Sequence, residues 1–223
     1  MKKAFTLTEL LLALTIVGVL AVLTVPILMN NIHNRMFATQ VKNMSATIEQ
    51  LAQDQLVTHR TRDLSDTDFA DPAKLLSDKH FSIAKTCATS TDAKKNCWKI
   101  TAEGKDKIAY KYIKDTGSAN PVIGYTVVLK NGVLLTSPSL QSEENVSGDI
   151  VARITIDVNG NDKPNIAGRD LFSFYMTNKG HVVDFLYAKN VTMSPDEKKR
   201  KCVKGSGRTC YGALADNGWK MDY

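Results

Sequence analysis

The chain opens with a long apolar segment, in which Leu10 to Met29 form a run of twenty residues without a charged side chain. A helix of that length rises about 30 Å, which matches the hydrocarbon core of a bilayer. A secretory signal peptide is the alternative, but its apolar region spans only ~7–15 residues and ends in a small-x-small cleavage site. This run is longer and its end carries no such site. We therefore predict a retained membrane span over 10–29, and the preceding Lys2 and Lys3 set its N-terminus in the cytoplasm.

The helical period continues beyond this span, in a more polar half that reaches about residue 56. No Gly or Pro interrupts residues 30–56. Apolar side chains recur there at steps of four and three, which places them on one stripe of a helix. They are Phe37, Val41, Met44, Ile48 and Leu51. The pattern predicts one helix over 5–56 whose second half packs its stripe on a sheet of its own domain, with a coiled coil to another chain as the alternative.

Residues 57–223 have the turn signals of a globular domain. Asp71 before Pro72 predicts the capped start of a short helix through about Ser77, with Leu75 and Leu76 facing inward. The Asn131–Gly132 pair between two apolar segments favours a hairpin with a type I′ turn. The predicted strands are Tyr125–Leu129, Val133–Thr136, Ile150–Asp157, Leu171–Met176 and His181–Leu186. One long helix followed by antiparallel strands predicts an α+β fold in which the sheet covers the helix stripe.

The first residues resemble a known processing signal. Lys2-Lys3-Ala4 followed by Phe-Thr-Leu-Thr-Glu-Leu-Leu-Leu-Ala-Leu resembles the leader and mature start of type IV prepilins and type II secretion pseudopilins. The resemblance implies that residues 1–4 are a leader, that a prepilin peptidase cuts between Ala4 and Phe5, and that it methylates the new amino group. Glu9 then becomes the fifth mature residue. The sequence departs from the family at Ala4, where the family most often has Gly.

The same resemblance implies a pilin-like fold and a structural role in a type IV pilus-like fibre. The subunit would wait in the bacterial inner membrane, with its C-terminal domain in the periplasm, and polymerise through its N-terminal helix into a periplasmic or extracellular fibre. Its partners would be other pilin-like subunits, the prepilin peptidase and an inner-membrane assembly platform.

The resemblance also assigns roles to three residues of the apolar helix. The Glu9 carboxylate would pair with the Phe5 amine of a neighbouring subunit, and this pair would set the axial register because an unpaired buried charge is strongly penalised. Pro26 predicts a kink in the helix. By resemblance, Gly18 and Pro26 bracket a stretch that can unwind in the fibre.

Four cysteines, Cys87, Cys97, Cys202 and Cys210, lie beyond the predicted membrane span. An even number in an exported domain favours disulfides, with three possible connectivities. The short separations favour the local pairs Cys87–Cys97 and Cys202–Cys210. Zinc is the alternative, but there is no Cys-x-x-Cys and the histidines are scattered. A C-terminal disulfide-bounded loop is similar to one on the exterior of many type IV pilins, whereas secretion pseudopilins more often lack it.

One loop collects oxygen ligands at alternate positions, as a calcium loop does. Its candidate ligands are Asp157, Asn159, Asn161 and Asp162. An EF-hand needs Gly at its sixth and Glu at its twelfth position, where this chain has Asp162 and Gly168. Asn, Asp, Gly and Pro are also the residues of plain turns. The sequence leaves calcium and a plain turn open, and it indicates no other cofactor.

The chain of 223 residues has 29 Lys and Arg against 23 Asp and Glu, a net charge of +6 that falls to +4 without the leader. The densest basic run is Lys198–Lys201, followed by Lys204 and Arg208. It permits binding of DNA or another polyanion. A solvated loop around Cys202 is the simpler interpretation, since Tyr211 is the only nearby aromatic residue and stacking platforms are missing.

No motif in the sequence indicates catalysis. The chain has no Gly-x-Ser-x-Gly, no phosphate-cradling glycine loop and no paired carboxylates with an obvious histidine partner. We therefore expect a structural protein rather than an enzyme, namely a pilin or secretion pseudopilin. A DNA-binding competence pilin that acts in DNA uptake is the second hypothesis, and a membrane-anchored binding domain that never polymerises is the third.

Overall fold

One helix of 53 residues, α1 (Leu7–His59), forms the N-terminal part of the chain. The computed structural model describes residues 6–77, 79–114, 117–119, 121–137 and 146–223. The predicted long helix is confirmed over the described residues and extends slightly past residue 56. The chain divides into two compact units, Met1–Met36 and Phe37–Tyr223. The second unit begins inside α1, because the helix from there onward packs against the sheet.

The second half of α1 buries one face in the main core of the second unit. The most buried positions recur at steps of three and four; they are Ala38, Val41, Ser45, Ile48, Ala52 and Gln55. Phe37, Met44 and Leu51 lie at the margins of this face and are half-buried against the same core. The prediction that the stripe packs on its own domain is confirmed, with the centre of the face shifted onto small residues.

A nine-stranded sheet is formed by the described residues of the second unit. The strands are β1 (Ile83–Cys87), β2 (Tyr110–Tyr112), β3 (Ser118–Ala119), β4 (Tyr125–Leu129), β5 (Leu134–Ser137), β6 (Ile150–Asp157), β7 (Ile166–Ala167), β8 (Leu171–Thr177) and β9 (Val182–Val183). Their order is β1-β4-β5-β6-β8-β7-β2-β3, with β9 also on β8. The α+β class is therefore confirmed. The purely antiparallel sheet is wrong, because the short strand β7 runs parallel to both β2 and β8.

The hairpin of β4 and β5 is confirmed, but its turn differs from the prediction. Thr126 pairs with Thr136 across the two strands. The Leu129 N–H donates to the carbonyl of Val133, and the Gly132 N–H donates back to the carbonyl of Leu129. Gly132 has a φ of +90° whereas Asn131 has no positive φ. The loop is thus a three-residue turn closed by a left-handed glycine, and the expected type I′ turn is wrong.

The predicted strand Ile150–Asp157 is confirmed as β6, whereas two other predicted segments are shorter than expected. The strand after β8 stops at Val183, because the side chain of Asp184 caps the helix α4 (Phe185–Ala188) by accepting from the Tyr187 N–H at 2.8 Å. The predicted helix after Asp71 is α2 (Pro72–Leu75), which ends before Ser77.

The sheet is covered on both faces. Alternate residues of β6 and β8, such as Ile154 and Phe174, belong to the core shared with α1. The opposite face carries a second cluster built around Trp98 and Tyr110, which includes Leu171. Trp98 comes from the segment of helix α3 (Ser90–Asp92) and the π-helical turn that follows it. The Trp98 indole N–H donates to the Thr126 hydroxyl at 3.1 Å, which fixes this segment on the sheet.

The chain ends in two helices, α5 (Pro195–Lys204) and α6 (Cys210–Asp216). Tyr211 of α6 packs on Phe174 of β8, with ring centroids 5.1 Å apart. The Tyr223 hydroxyl donates to the Gly168 carbonyl at 3.1 Å, and Trp219 packs on the same core. The terminal aromatic residues therefore anchor the end of the chain to the domain.

Candidate assembly segment and surface sites

The N-terminal unit presents an apolar helix to its surroundings. Large apolar side chains between Leu7 and Met36 are exposed on all sides of the helix, and Leu7 and Val22 are each about three-quarters exposed (75% and 74%). By length and composition, α1 is the one helix among the described residues that is long and apolar enough to cross a membrane. A surface of this size and polarity is favourable only within a bilayer or against other apolar helices.

Glu9 closes a capping box at the start of α1. Its Oε2 accepts from both the backbone N–H and the hydroxyl of Thr6, each at 2.9 Å. The Thr6 hydroxyl in turn accepts from the Glu9 N–H at 3.3 Å. These reciprocal bonds satisfy donors that a helix start leaves unpaired. The Thr-x-x-Glu spacing is a known signature of this cap, so the sequence carried a signal that our reasoning missed.

The other predicted residues of the apolar segment have little around them. Gly18 has open space where a side chain would stand. Pro26 lies inside α1, and the helix continues on both sides of it. Because proline has no N–H, the carbonyl of Val22 lacks its usual helical donor. The predicted processing residues Ala4 and Phe5 lie outside the described residues.

Both predicted disulfides are present, as Cys87–Cys97 and Cys202–Cys210. The first joins the end of β1 to the π-helical turn, and the second joins α5 to α6. No free cysteine remains in the described part of the chain. The local pairing predicted from the short separations is therefore confirmed.

The predicted oxygen-rich loop connects β6 to β7 and is closed by its own side chains. Asp157 is fully buried, accepts from the Asn159 N–H at 3.2 Å and also accepts from the Tyr110 hydroxyl. The Asn159 amide donates to the carbonyls of Asp162 and Lys163, at 2.9 and 2.8 Å. The loop is thus folded back on itself, with Asp157 at its base.

The structure changes the membership of this loop site. The side chain of Asn161 donates to the Cys97 carbonyl at 2.8 Å, whereas Asp162 is exposed. Asp170, which sequence reasoning missed, is fully buried and accepts from the backbone N–H groups of Asn165 and Ile166, at 2.6 and 2.7 Å. Asp170 lies near Asp157 only because their strands pair. The sequence analysis did not include it in the site, since the two residues are far apart along the chain.

Burial dominates the electrostatics of this loop. Burial, together with the neighbouring charge of Asp170, raises the pKa of Asp157 well above its usual range. Burial likewise raises the pKa of Asp170 to about 6, although backbone hydrogen bonds oppose the shift. Among the described residues, no three His, Cys, Asp or Glu side chains group as metal ligands. The other side-chain oxygens of this loop include the amides of Asn159, Asn161 and Asn165 and the exposed carboxylate of Asp162.

The basic run is partly a structural feature and partly free surface. Lys198 is mostly buried, and its Nζ lies 2.7 Å from Asp184 and 3.0 Å from Asp216. Lys199 pairs with Asp222 at 2.8 Å. In contrast, Lys201 and Lys204 are exposed and have no acidic partner among the described residues.

Lys201 and Lys204 line a groove of about 440 Å³ whose floor is largely apolar and includes Phe185 and Met193. The Arg208 guanidinium lies 5.5 Å from the centroid of the Phe185 ring. Phe185 is distant from the basic run in sequence but lies beside it in the fold. It therefore provides an aromatic ring near the lysines, which the sequence analysis did not identify.

The chain matches no family model, no curated protein and no solved structure with which it was compared.

Proposed function

We propose that this chain is a structural subunit of a type IV pilus-like fibre, either a pilin or a type II secretion pseudopilin. On this proposal a prepilin peptidase removes residues 1–4 and methylates Phe5. The subunit then spans the inner membrane once, with its N-terminus cytoplasmic and its C-terminal domain periplasmic. It polymerises with other pilin-like subunits at an inner-membrane assembly platform, and the chain itself catalyses no reaction.

A single observation carries the proposal: an exposed apolar helix that holds one acidic side chain near its start. The described part of α1 between Thr6 and Met29 contains Glu9 and no other charged residue. In a lone membrane anchor this carboxylate would only cap its own helix, whereas in a bundle of such helices it could also pair with a freed amino group of a neighbour. The resemblance of the first residues to prepilins supports the same interpretation.

Features of the second unit agree with a pilin-like fold. Its sheet packs on the second half of α1, and a C-terminal segment is closed by the Cys202–Cys210 disulfide. Pro26 removes one helical hydrogen bond and Gly18 weakens the helix by about 0.5–1 kcal/mol relative to alanine. We propose that these two residues bracket the stretch of the fibre that unwinds under tension.

Processing is tested by mass spectrometry of the protein purified from its native membranes. We expect a mature chain that begins at Phe5 and carries one additional methyl group on its amino terminus. A chain that still begins at Met1, or one cut well beyond Phe5, would contradict the proposal.

Assembly is tested by two substitutions that separate the charge of Glu9 from its capping role. Glu9→Gln keeps a side chain able to close the capping box but removes the charge. We expect fibre yield to fall by more than about tenfold, because breaking a buried charge pair costs about 3–5 kcal/mol. Thr6→Ala removes the cap, at about 1 kcal/mol of helix stability, and keeps the charge. We expect the Thr6→Ala subunit to form fibres that are visible by electron microscopy.

The amounts of both variants in the membrane serve as the control and should match the unmodified chain. Normal fibres from the Glu9→Gln subunit would show that the charge is dispensable and would remove the main support for assembly through it. The same result would favour a membrane-anchored domain that never polymerises.

A DNA-binding competence pilin is the second candidate function, and the groove beside α5 favours it. Exposed Lys201 and Lys204 stand beside Phe185, whose ring is covered by the Arg208 guanidinium. Cations beside an aromatic ring are the combination that single-stranded nucleic acid uses for backbone and base contacts.

The test is a gel shift of the full chain in detergent micelles with short DNA at increasing salt. If the groove binds DNA, Lys201→Glu with Lys204→Glu should abolish a shift that weakens steeply with salt. Lys105→Glu with Lys107→Glu is the matched control, because it makes the same charge change at other exposed lysines. No shift at low salt, or equal loss in both double variants, would remove this candidate.

A further inference from the structure

The face of the sheet that points away from α1 carries a row of polar side chains. Arg153 and Thr155 of β6 flank Ile154, which belongs to the core shared with α1, so their side chains point to the opposite face. In the strand register Thr155 pairs with Ser173 of β8. Arg153 is 5% exposed and Thr155 is 1% exposed. Burying a charge and a hydroxyl is costly, so polar contacts must offset that cost at this place.

These polar side chains line a pocket of about 140 Å³. Its wall also includes Ser206 and Arg208, which lie in the loop that the C-terminal disulfide closes. Gly207 has a φ of +73°, and a Cβ there would lie 2.7 Å from the Cβ of Ala167, so only glycine lets this loop come so close to the sheet. The described residues that line the pocket include two arginines and no acidic side chain.

Aromatic rings position both guanidinium groups beside this pocket. The Cζ atom of Arg153 lies 5.7 Å from the centroid of the Tyr175 ring, and that of Arg208 lies 5.5 Å from the centroid of Phe185. The two rings are neighbours, with centroids 6.4 Å apart. A guanidinium that contacts a ring through its face keeps its in-plane N–H groups for other partners. Because the rings restrict the two arginines, an anion that binds both loses less side-chain entropy.

The wall of the pocket offers further hydrogen-bond donors. The Oγ1 of Thr155 and the Oγ of Ser173 lie 2.7 Å apart and share one hydrogen bond. That bond uses one of their two protons, so the other proton can be donated to a ligand. Each guanidinium has five N–H donors, more than a single partner occupies. Asp157, the next residue of the row, accepts from the Tyr110 hydroxyl and does not line the pocket.

We propose that this pocket binds one phosphate group, either free phosphate or the terminal phosphate of a small phosphomonoester. Such a group carries about −1.5 to −2 charges at pH 7, which two arginines balance. Planar guanidinium groups and hydroxyls match its oxygen atoms. A carboxylate, with one charge, leaves one arginine unbalanced. A pocket of this volume suits a terminal phosphate better than the backbone of DNA, which carries one charge per phosphate.

The site lies within the second unit, so the proposal is independent of fibre assembly. It is also separate from the groove beside α5 in its lining, since Lys201 and Lys204 line that groove and not this pocket.

The direct test is isothermal titration calorimetry of the full chain in micelles of a phosphate-free detergent, at an ionic strength held constant with NaCl. Sodium phosphate should bind at one site per chain and raise the melting temperature, whereas sodium acetate at the same concentration should do neither. Glycerol 3-phosphate separates the two sources, because tighter binding than phosphate identifies a phosphomonoester and weaker binding identifies free phosphate. No heat and no shift at millimolar phosphate, or an equal response to acetate, would overturn the proposal.

Two variants then test the assigned residues. Arg208→Gln removes one guanidinium at an exposed position and leaves the buried row intact. We expect its affinity for phosphate to fall by more than about tenfold, because it loses a charge-assisted contact. Arg200→Gln is the matched control, since it makes the same charge change at an exposed arginine that does not line the pocket. It should bind as the unmodified chain does.

The melting temperatures of both variants without phosphate should match that of the unmodified chain. Equal phosphate affinity of the Arg208→Gln and Arg200→Gln chains would show that the anion binds elsewhere and would overturn the assignment.

Discussion

At the scale of single residues, Lys198 shows how one side chain joins separate segments. Its Nζ lies between Asp184, which caps α4, and Asp216, which ends α6. Only 16% of its side chain is exposed, so the pair is screened less than a surface ion pair. Without the ammonium group, two acidic side chains would face each other at the junction of three helices.

We expect Lys198→Met to lower the free energy of unfolding by about 2 kcal/mol. This is less than the full cost of breaking a buried ion pair, because solvent reaches part of the site. Lys199→Met is the matched control. Its partner Asp222 is half exposed, and an exposed pair contributes only about 0–1 kcal/mol. Denaturant unfolding followed by tryptophan fluorescence measures both. Equal destabilisation by the two changes would show that the Lys198 pairs are not special.

The sequence could not separate these two lysines. Both stand in one basic run, and their different burial follows from where Asp184 and Asp216 lie after folding. The same holds for Phe185, which reaches the basic run only because α4 packs near α5. Residue-scale chemistry was predictable where partners are local in sequence. The disulfide Cys87–Cys97 was predicted on that ground, and the Thr6–Glu9 cap carries a local signal that was missed.

At the scale of elements, the second half of α1 approaches the sheet through small side chains. Ala38, Ser45 and Ala52 lie on the buried face, and the Ala52 Cβ lies close to Gly180 on the turn after β8. Small residues allow close approach of the helix backbone to that turn. The side chain of Gln53 holds the turn in place by donating to the carbonyls of Lys179 and Gly180, both at 3.1 Å.

A larger side chain at Ala52 should force the helix and the turn apart. We expect Ala52→Leu to lower the free energy of unfolding by about 1–3 kcal/mol, the usual cost of overpacking a filled core. Ala46→Leu makes the same change on the exposed face of the same helix and should stay within about 0.5 kcal/mol. The midpoint of thermal unfolding in micelles distinguishes them. A stable Ala52→Leu protein would indicate a looser interface than the structure shows.

Elements with a strong local period were predicted well, and short ones were not. The helical period of α1, the hairpin at Asn131–Gly132 and the alternation of β6 depend on neighbouring residues, although the type of the hairpin turn was predicted wrongly. The two-residue strands β3 and β7 are too short to show alternation, and their place in the sheet depends on partners such as β2. The parallel pairing of β7 therefore could not be read from the sequence. The approach of Asp170 to Asp157 was missed for another reason, because it depends on the register of β6 with β8.

At the scale of the whole molecule, the paired cysteines limit the cellular compartments in which the chain can fold. All four cysteines are joined, two near β1 and two between α5 and α6. Each short loop adds about 2.5–3 kcal/mol in the chain-entropy model. Such bonds persist in oxidising compartments and are rare in the cytoplasm.

Thiol labelling tests this constraint together with the proposed topology. In intact cells we expect the cysteines of the mature chain to resist alkylation until a reductant and a denaturant are added. A truncated chain that lacks residues 1–36 and stays in the cytoplasm should react at all four cysteines after denaturation alone. Free thiols in the exported, folded chain would contradict the oxidised domain.

The cap at the start of α1 has a consequence for the proposed assembly into a fibre. On that proposal, a subunit outside the fibre would lack the neighbour's amine, and a bare carboxylate in hydrocarbon would be costly. Thr6 offers two donors to Glu9 within the same chain, each at 2.9 Å. A proposed subunit that waits alone in the membrane would therefore keep its carboxylate hydrogen-bonded within its own chain until a neighbour's amine replaces Thr6.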